Sequence, residues 1–184
     1  PEKILTKKNE NFYEWFSDSV MNTCYNAVDK NVLEGRGDQV AIYYDSPITN
    51  SKSKLTYNEL KLKVEEFAGA LNKYNISKGD RVIVYMPMIP EAIIAVLAIA
   101  RIGAVHSVVF GGFAAKELAV RIDDCSPKLI ISASCGIEPG RIVEYKPLLD
   151  EAIKLSNHKV KNCIIFQREQ LSVKLNADLD VSWN

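Results

Sequence analysis

Apolar positions along this 184-residue chain follow two rhythms. Short runs of consecutive apolar, often β-branched residues recur at Val82-Ile83-Val84, Val108-Val109-Phe110, Leu129-Ile130-Ile131 and Cys163-Ile164-Ile165. Unbroken runs of this length mark strands covered on both faces, as in a parallel sheet. They predict strands over 81–85, 105–110, 128–132 and 162–166. Between them lie a stretch over 91–102 that is apolar nearly all round, which predicts a buried helix, and stretches with apolar residues at helical spacing, which predict helices over 114–124 and 147–155. Pro90 suits a first helical turn and Gly103 a C-terminal cap. The order strand, helix, strand repeated from Arg81 onward implies right-handed crossovers and a mainly parallel sheet. The expected class is α/β: an open, mainly parallel sheet with helices on both faces.

Upstream the pattern is mixed. Thr56 followed by Glu59 forms a capping box, and Leu60, Val64, Phe67 and Leu71 continue with helical period to a stop near Asn75. Val40 to Tyr44 reads as a strand, Asp45-Ser46-Pro47 ends it, and the polar stretch Thr49 to Lys54 reads as the loop of one antiparallel hairpin. Residues 1–39 form an irregular lead-in with a turn at Gly35 to Asp38. Phe12, Trp15 and Phe16 recur at helical spacing there, which predicts a short helix docked by its aromatics. Past Gln167 the pattern fades. Leu179 to Asn184 brings no closing element, so the expected unit is a partial domain: lead-in over 1–39, first part of a larger domain over 40–184.

Composition narrows the function. Hydrophobic residues make up 47% and charged residues 25%, enough to build a core in a globular protein. The 23 basic and 23 acidic residues cancel, so no global field favours nucleic acid or an anionic membrane. Cys24, Cys125, Cys135 and Cys163 form no C-x-x-C pair, and His106 and His158 are the two histidines; no metal centre is expected. The thiols read as reduced. The start of the chain lacks the apolar core of a signal peptide, and Ala92 to Ala100 is too short to span a bilayer. The expected compartment is the cytoplasm or the mitochondrial matrix.

In open α/β sheets ligands sit beyond the carboxyl ends of the strands. Three loops lie there: Met86 to Pro90, Phe110-Gly111-Gly112-Phe113, and Ser134 to Arg141. Gly111 and Gly112 permit close backbone approach to a ligand, or make a tight turn with Phe113 in the core. Arg141, on the turn made by Pro139 and Gly140, can hold phosphate bidentately, or pair on the surface with Glu138 or Glu144. Neither a G-x-G-x-x-G nor a G-x-x-x-x-G-K-[ST] fingerprint occurs. Arg101, Arg121, Asp123 and Asp124 read as solvated or ion-paired, His106 as a core histidine, His158 as a surface one, and Met86 and Met88 as packing. No Ser-His-Asp set or catalytic carboxylate pair follows from the spacings, so no catalytic residue is assigned.

The strings Val-Tyr-Met-Pro-Met-Ile-Pro-Glu-Ala (84–92) and Ala-Arg-Ile-Gly-Ala-Val-His-Ser-Val-Val-Phe-Gly-Gly-Phe (100–113) resemble the N-terminal part of short-chain acyl-CoA synthetases, within the adenylate-forming superfamily. Asn22 to Asp29, Gly35 to Gln39, Tyr44 to Pro47, Phe113 to Leu118 and Cys135 to Tyr145 resemble its propionate-type branch. The resemblance runs from about Phe12 to Trp183. It implies ATP-dependent joining of propionate or acetate to coenzyme A through an acyl-adenylate. It also implies that Glu138, Pro139, Gly140 and Arg141 meet the nucleotide end of coenzyme A, with Arg141 on phosphate, and that Gly111, Gly112 and Phe113 line the pantetheine route. The acetate branch carries a basic residue where Glu138 stands, so a structural or water-mediated role is implied for that carboxylate. The family's phosphate loop, acyl pocket and catalytic lysine have no counterpart in these residues. ATP and Mg²⁺ are therefore expected to bind outside this chain, and the 184 residues alone are expected to be inactive and to self-associate or need the rest of the protein. A stand-alone coenzyme A or nucleotide module, or a purely structural half-domain, are the alternatives.

Overall fold

The computed structural model describes residues 1–183. In chain order its elements are β1 (Leu5–Lys7), β2 (Tyr13–Trp15), two wide-pitched helical turns (Tyr25–Asp29 and Val32–Arg36), β3 (Val40–Ser46), β4 (Ser51–Thr56), α1 (Tyr57–Lys73), β5 (Arg81–Met86), α2 (Pro90–Arg101), β6 (Val105–Phe110), α3 (Ala115–Cys125), β7 (Leu129–Ala133), β8 (Cys135–Glu138), β9 (Arg141–Glu144), α4 (Tyr145–Leu155), β10 (Asn162–Phe166) and β11 (Asp180–Ser182). Five strands form one parallel sheet in the order β11-β10-β7-β5-β6. Antiparallel pairs β1-β2, β3-β4 and β8-β9 sit outside it, three hairpins where one was expected.

The consecutive apolar runs supply two cores at once, because successive side chains of a strand point to opposite faces. Val82, Val84, Met86, Leu129, Ile131 and Ile164 face α1 and α2. Ile83, Tyr85, Ile130, Cys163 and Ile165 face α3 and α4. In α1 the Thr56 hydroxyl accepts from the Glu59 N–H at 3.2 Å and Glu59 returns the bond from the Thr56 N–H at 2.7 Å, the complete capping box. Leu60, Val64, Phe67 and Leu71 are buried, as their spacing requires.

Four local expectations are corrected. The lead-in aromatics lie on or beside the β1-β2 hairpin rather than a helix, and they are exposed: Phe12 66%, Trp15 65% and Phe16 44%. The polar stretch read as a hairpin loop is mostly β4, its tip lying at 47–50. β6 is an edge strand of the sheet; of its residues Val109 is buried, whereas Val108 and Phe110 are exposed, and so is His106, which is no core histidine. Met86 is buried but Met88 is exposed.

The ends of the chain are held by charge. Arg101 donates to both oxygens of Asp29 at 2.8 Å and to Glu65 at 2.8 Å, clamping the first helical turn of the lead-in to α2 and α1. That guanidinium keeps the Asp29 carboxyl below its ordinary range. A strand absent from the sequence expectations, β11, adds in parallel to β10. Lys146 of α4, buried, reaches Asp180 at 2.9 Å and also contacts Asp150. Burial opposes the ammonium, but the two carboxylates outweigh it and raise its affinity for the proton. Asn184, the last residue of the fading C-terminal pattern, lies outside the described residues.

Candidate functional site

The sheet order creates a crevice. β6 lies on one side of β5 and β7 on the other, and the chain leaves β5 toward the α2 face but β7 toward the α4 face. Such a reversal leaves open space beyond the carboxyl strand ends. Two of the loops flagged in the sequence meet there, the glycine turn after β6 and the segment after β7.

The segment after β7 is built, not loose. Expected as a loop over 134–141, it folds as the β8-β9 hairpin, with Glu138 paired to Arg141 across Pro139-Gly140. Proline followed by a residue with φ of +77° at Gly140 suits a tight turn. The hairpin's root is tied to the sheet. Ser134 donates its N–H to the Phe166 carbonyl at 2.8 Å and accepts at its carbonyl from Tyr145 N–H at 3.1 Å; its hydroxyl accepts from Arg168 N–H at 2.9 Å.

Two tyrosines join hairpin and glycine turn. Tyr85, near the carboxyl end of β5, is fully buried and donates its hydroxyl to the Phe113 carbonyl at 3.0 Å, which pins the turn from below. Its ring lies 5.0 Å from that of Tyr145, the first residue of α4. The Tyr145 side chain runs between Gly111 and Gly136. A Cβ on Gly111 would overlap the Tyr145 hydroxyl and come within 2.8 Å of ring atom Cε2. A Cβ on Gly136 would stand 2.5 Å from the same hydroxyl and 2.8 Å from Cε1 on the other edge. Burial is the main cause that pushes the Tyr145 phenol up to about 12, with the neighbouring Tyr85 adding to it, and burial raises Tyr85 as well.

The flagged residues thus separate. Gly111 makes room for Tyr145. Gly112, at φ +90°, has nothing within 4 Å of where a Cβ would be and faces open space. Phe113 packs between the Phe110 ring at 5.7 Å and the Arg121 guanidinium at 5.6 Å, so Arg121 caps an aromatic face rather than standing free. Arg141 is exposed; its Nε donates to Glu138 Oε2 at 2.8 Å and Nη2 lies 2.7 Å from the same oxygen. An exposed pair of this kind is worth about 0–1 kcal/mol and is weakened by salt, so the guanidinium is available for exchange to a stronger anion. Asp123, read as solvated or ion-paired, accepts from the backbone of Asn157 and His158 and organises that loop. His158, read as a surface residue, is half-buried, with Nε2 2.8 Å from the Pro127 carbonyl. Burial raises the Cys135 thiol above its ordinary range, which suits packing better than nucleophilic attack. Among the described residues no three His, Cys, Asp or Glu side chains converge as a metal site, and none spans a membrane as a long apolar helix.

Tyr85 and Tyr145 were not singled out in the sequence. The available signal was Gly136 itself, a glycine shortly after a buried strand in a stretch ending at a tyrosine.

Comparison with known proteins adds an independent line. A family model described as AMP-binding enzyme matches residues 29–182. The human protein named acyl-CoA synthetase short-chain family member 3, mitochondrial, is 49% identical over 183 residues, covering 99% of this chain and 27% of the relative. Acetyl-coenzyme A synthetase of Streptomyces avermitilis is 43% identical over 184 residues, covering all of this chain and 28% of the relative. An uncharacterized protein of Pseudomonas aeruginosa is 48% identical, covering 29% of its own length. The chain therefore spans less than a third of the length of these relatives.

Proposed function

Because this chain belongs to the AMP-binding enzyme family, we propose that it forms part of an AMP-forming ligase that joins a short-chain carboxylate to coenzyme A. Residues 1–39 are its lead-in and 40–184 the first part of its AMP-binding domain. In the first step a carboxylate, propionate or acetate, attacks the α-phosphate of ATP and releases pyrophosphate, leaving an acyl-adenylate. In the second, the thiol of coenzyme A attacks the acyl carbon and displaces AMP.

These residues supply one wall of the coenzyme A site. Gly111, Gly112 and Phe113 border the pantetheine arm, with Gly112 offering bare backbone to it. The hairpin tip Glu138-Pro139-Gly140-Arg141 meets the nucleotide end, with Arg141 exchanging Glu138 for phosphate. The observation that supports this most is the Tyr145 side chain lodged between Gly111 and Gly136, which puts turn and hairpin beside each other past the carboxyl ends of β6 and β7. Among the described residues no three His, Cys, Asp or Glu side chains converge, so no step here runs through Mg²⁺; our reading assigns ATP and its cation to other parts of the protein and expects no acyl-adenylate from these residues alone. The human relative's name assigns that protein to mitochondria; a matrix or cytoplasmic setting fits the present chain.

The test is made in the full-length protein that carries this chain. With propionate or acetate and ATP it should form the acyl-CoA. Arg141→Ala should raise the KM for coenzyme A about threefold to tenfold, the range of one lost charge-assisted contact discounted for exposure, and the difference should shrink at high salt. Absence of thioester formation with either acid, or an Arg141→Ala enzyme with unchanged KM, would overturn the assignment.

A further inference from the structure

The Tyr145 hydroxyl is held in an unusual way. The side chain is buried, 4% exposed, yet among the described residues its oxygen has no hydrogen-bond partner. Buried tyrosines normally find one, as Tyr85 does in the Phe113 carbonyl beside it. The oxygen is not sealed in either: among the described residues the unpartnered side-chain atom cut off from solvent is Asp180 Oδ1. It therefore keeps a trace of solvent contact, beside Gly111 of the glycine turn and Gly136 of the hairpin. Both glycines give way to this oxygen and to the ring edges beside it, the oxygen being the nearest atom a Cβ at either position would meet.

Resting on the function proposed above, we infer that Tyr145 is a ligand-positioning residue whose hydroxyl donates a hydrogen bond to an amide carbonyl of the pantetheine arm where that arm crosses the Gly111-Gly112 turn. The chemistry matches a neutral acceptor. The hydroxyl keeps its proton at physiological pH, because burial pushes its titration up to about 12, so it donates without carrying charge. A carbonyl flanked by methylenes suits a single neutral donor set among glycine backbone. Phosphate is better served by the exposed guanidinium of Arg141 at the hairpin tip. The two residues would divide the ligand between them, arm and nucleotide.

The division can be measured in the full-length protein with two thiol acceptors, coenzyme A and pantetheine, which lacks the nucleotide. Tyr145→Phe keeps the ring between the glycines and removes the oxygen. It should raise the KM for both acceptors by the same factor, about threefold to tenfold for one neutral hydrogen bond, while kcat and the thermal midpoint hold. Arg141→Ala should raise the KM for coenzyme A alone. Tyr145→Phe with unchanged KM for both acceptors would overturn the inference and leave Tyr145 as packing. So would a fall in kcat together with a lowered thermal midpoint, the mark of a purely structural role. Carboxylate-dependent pyrophosphate exchange in the wild-type protein separates the levels: its absence overturns the ligase reading and the inference with it, whereas its presence beside an unaffected Tyr145→Phe variant removes the inference alone.

Discussion

Gly111 and Gly112 are chemically identical neighbours under different constraints. At Gly111 a methyl group would collide with Tyr145; at Gly112 it would enter open space but on a backbone with φ of +90°. Gly111→Ala should destabilise by about 1–3 kcal/mol through overpacking. Gly112→Ala should cost about 1–2 kcal/mol through left-handed strain. A double-mutant cycle by urea unfolding distinguishes the two origins. Tyr145→Phe should recover part of the Gly111→Ala cost and none of the Gly112→Ala cost; strict additivity at both positions would contradict the packing described here. The glycine pair was visible in the sequence as a turn, and so was the Pro139-Gly140 turn before Arg141. What could not be read was their proximity. Gly111, Gly136 and Tyr145 share no periodicity, and their contact exists only once β6 and β7 flank β5.

At the scale of elements, period and punctuation were informative where one surface was buried. α1 follows its capping box and its buried stripe, and β5, β7 and β10 follow their apolar runs. The misread elements share a cause. β6 carries the same kind of apolar run as a covered strand, because order within a sheet leaves no local trace. The β8-β9 and β1-β2 strands have three or four residues each, too few for alternation to stand out. Connections at the other end of the sheet also matter. Asp80, just before β5, accepts from Lys128, just before β7, at 2.7 Å and from the Ser77 N–H at 2.8 Å. With Lys128 as the larger cause, these bonds lower the Asp80 carboxyl to about 2. The folded state thus binds this proton less readily than the unfolded chain. The stabilisation is full above about pH 4, the unfolded carboxylate range, and fades as pH falls toward 2. Acid titration followed by circular dichroism should show Asp80→Asn less stable than wild type at pH 7, with the gap closing below pH 4. A gap that stays constant across that window would contradict the ion-pair origin.

For the whole molecule, two cores on opposite faces of one sheet fix where the strands end, and the strand ends fix where a ligand is met. The fold class followed from the alternation of runs and helical stretches. The edge position of β6, with Val108 and Phe110 exposed, did not. The central claim is that glycine turn and hairpin, bolted together by Tyr145, act as one wall for one ligand. Amide hydrogen exchange of the full-length protein with and without coenzyme A tests it most directly. Coenzyme A should slow exchange in residues 111–113 and 137–141 together. Protection of neither segment, or of one without the other, would contradict it.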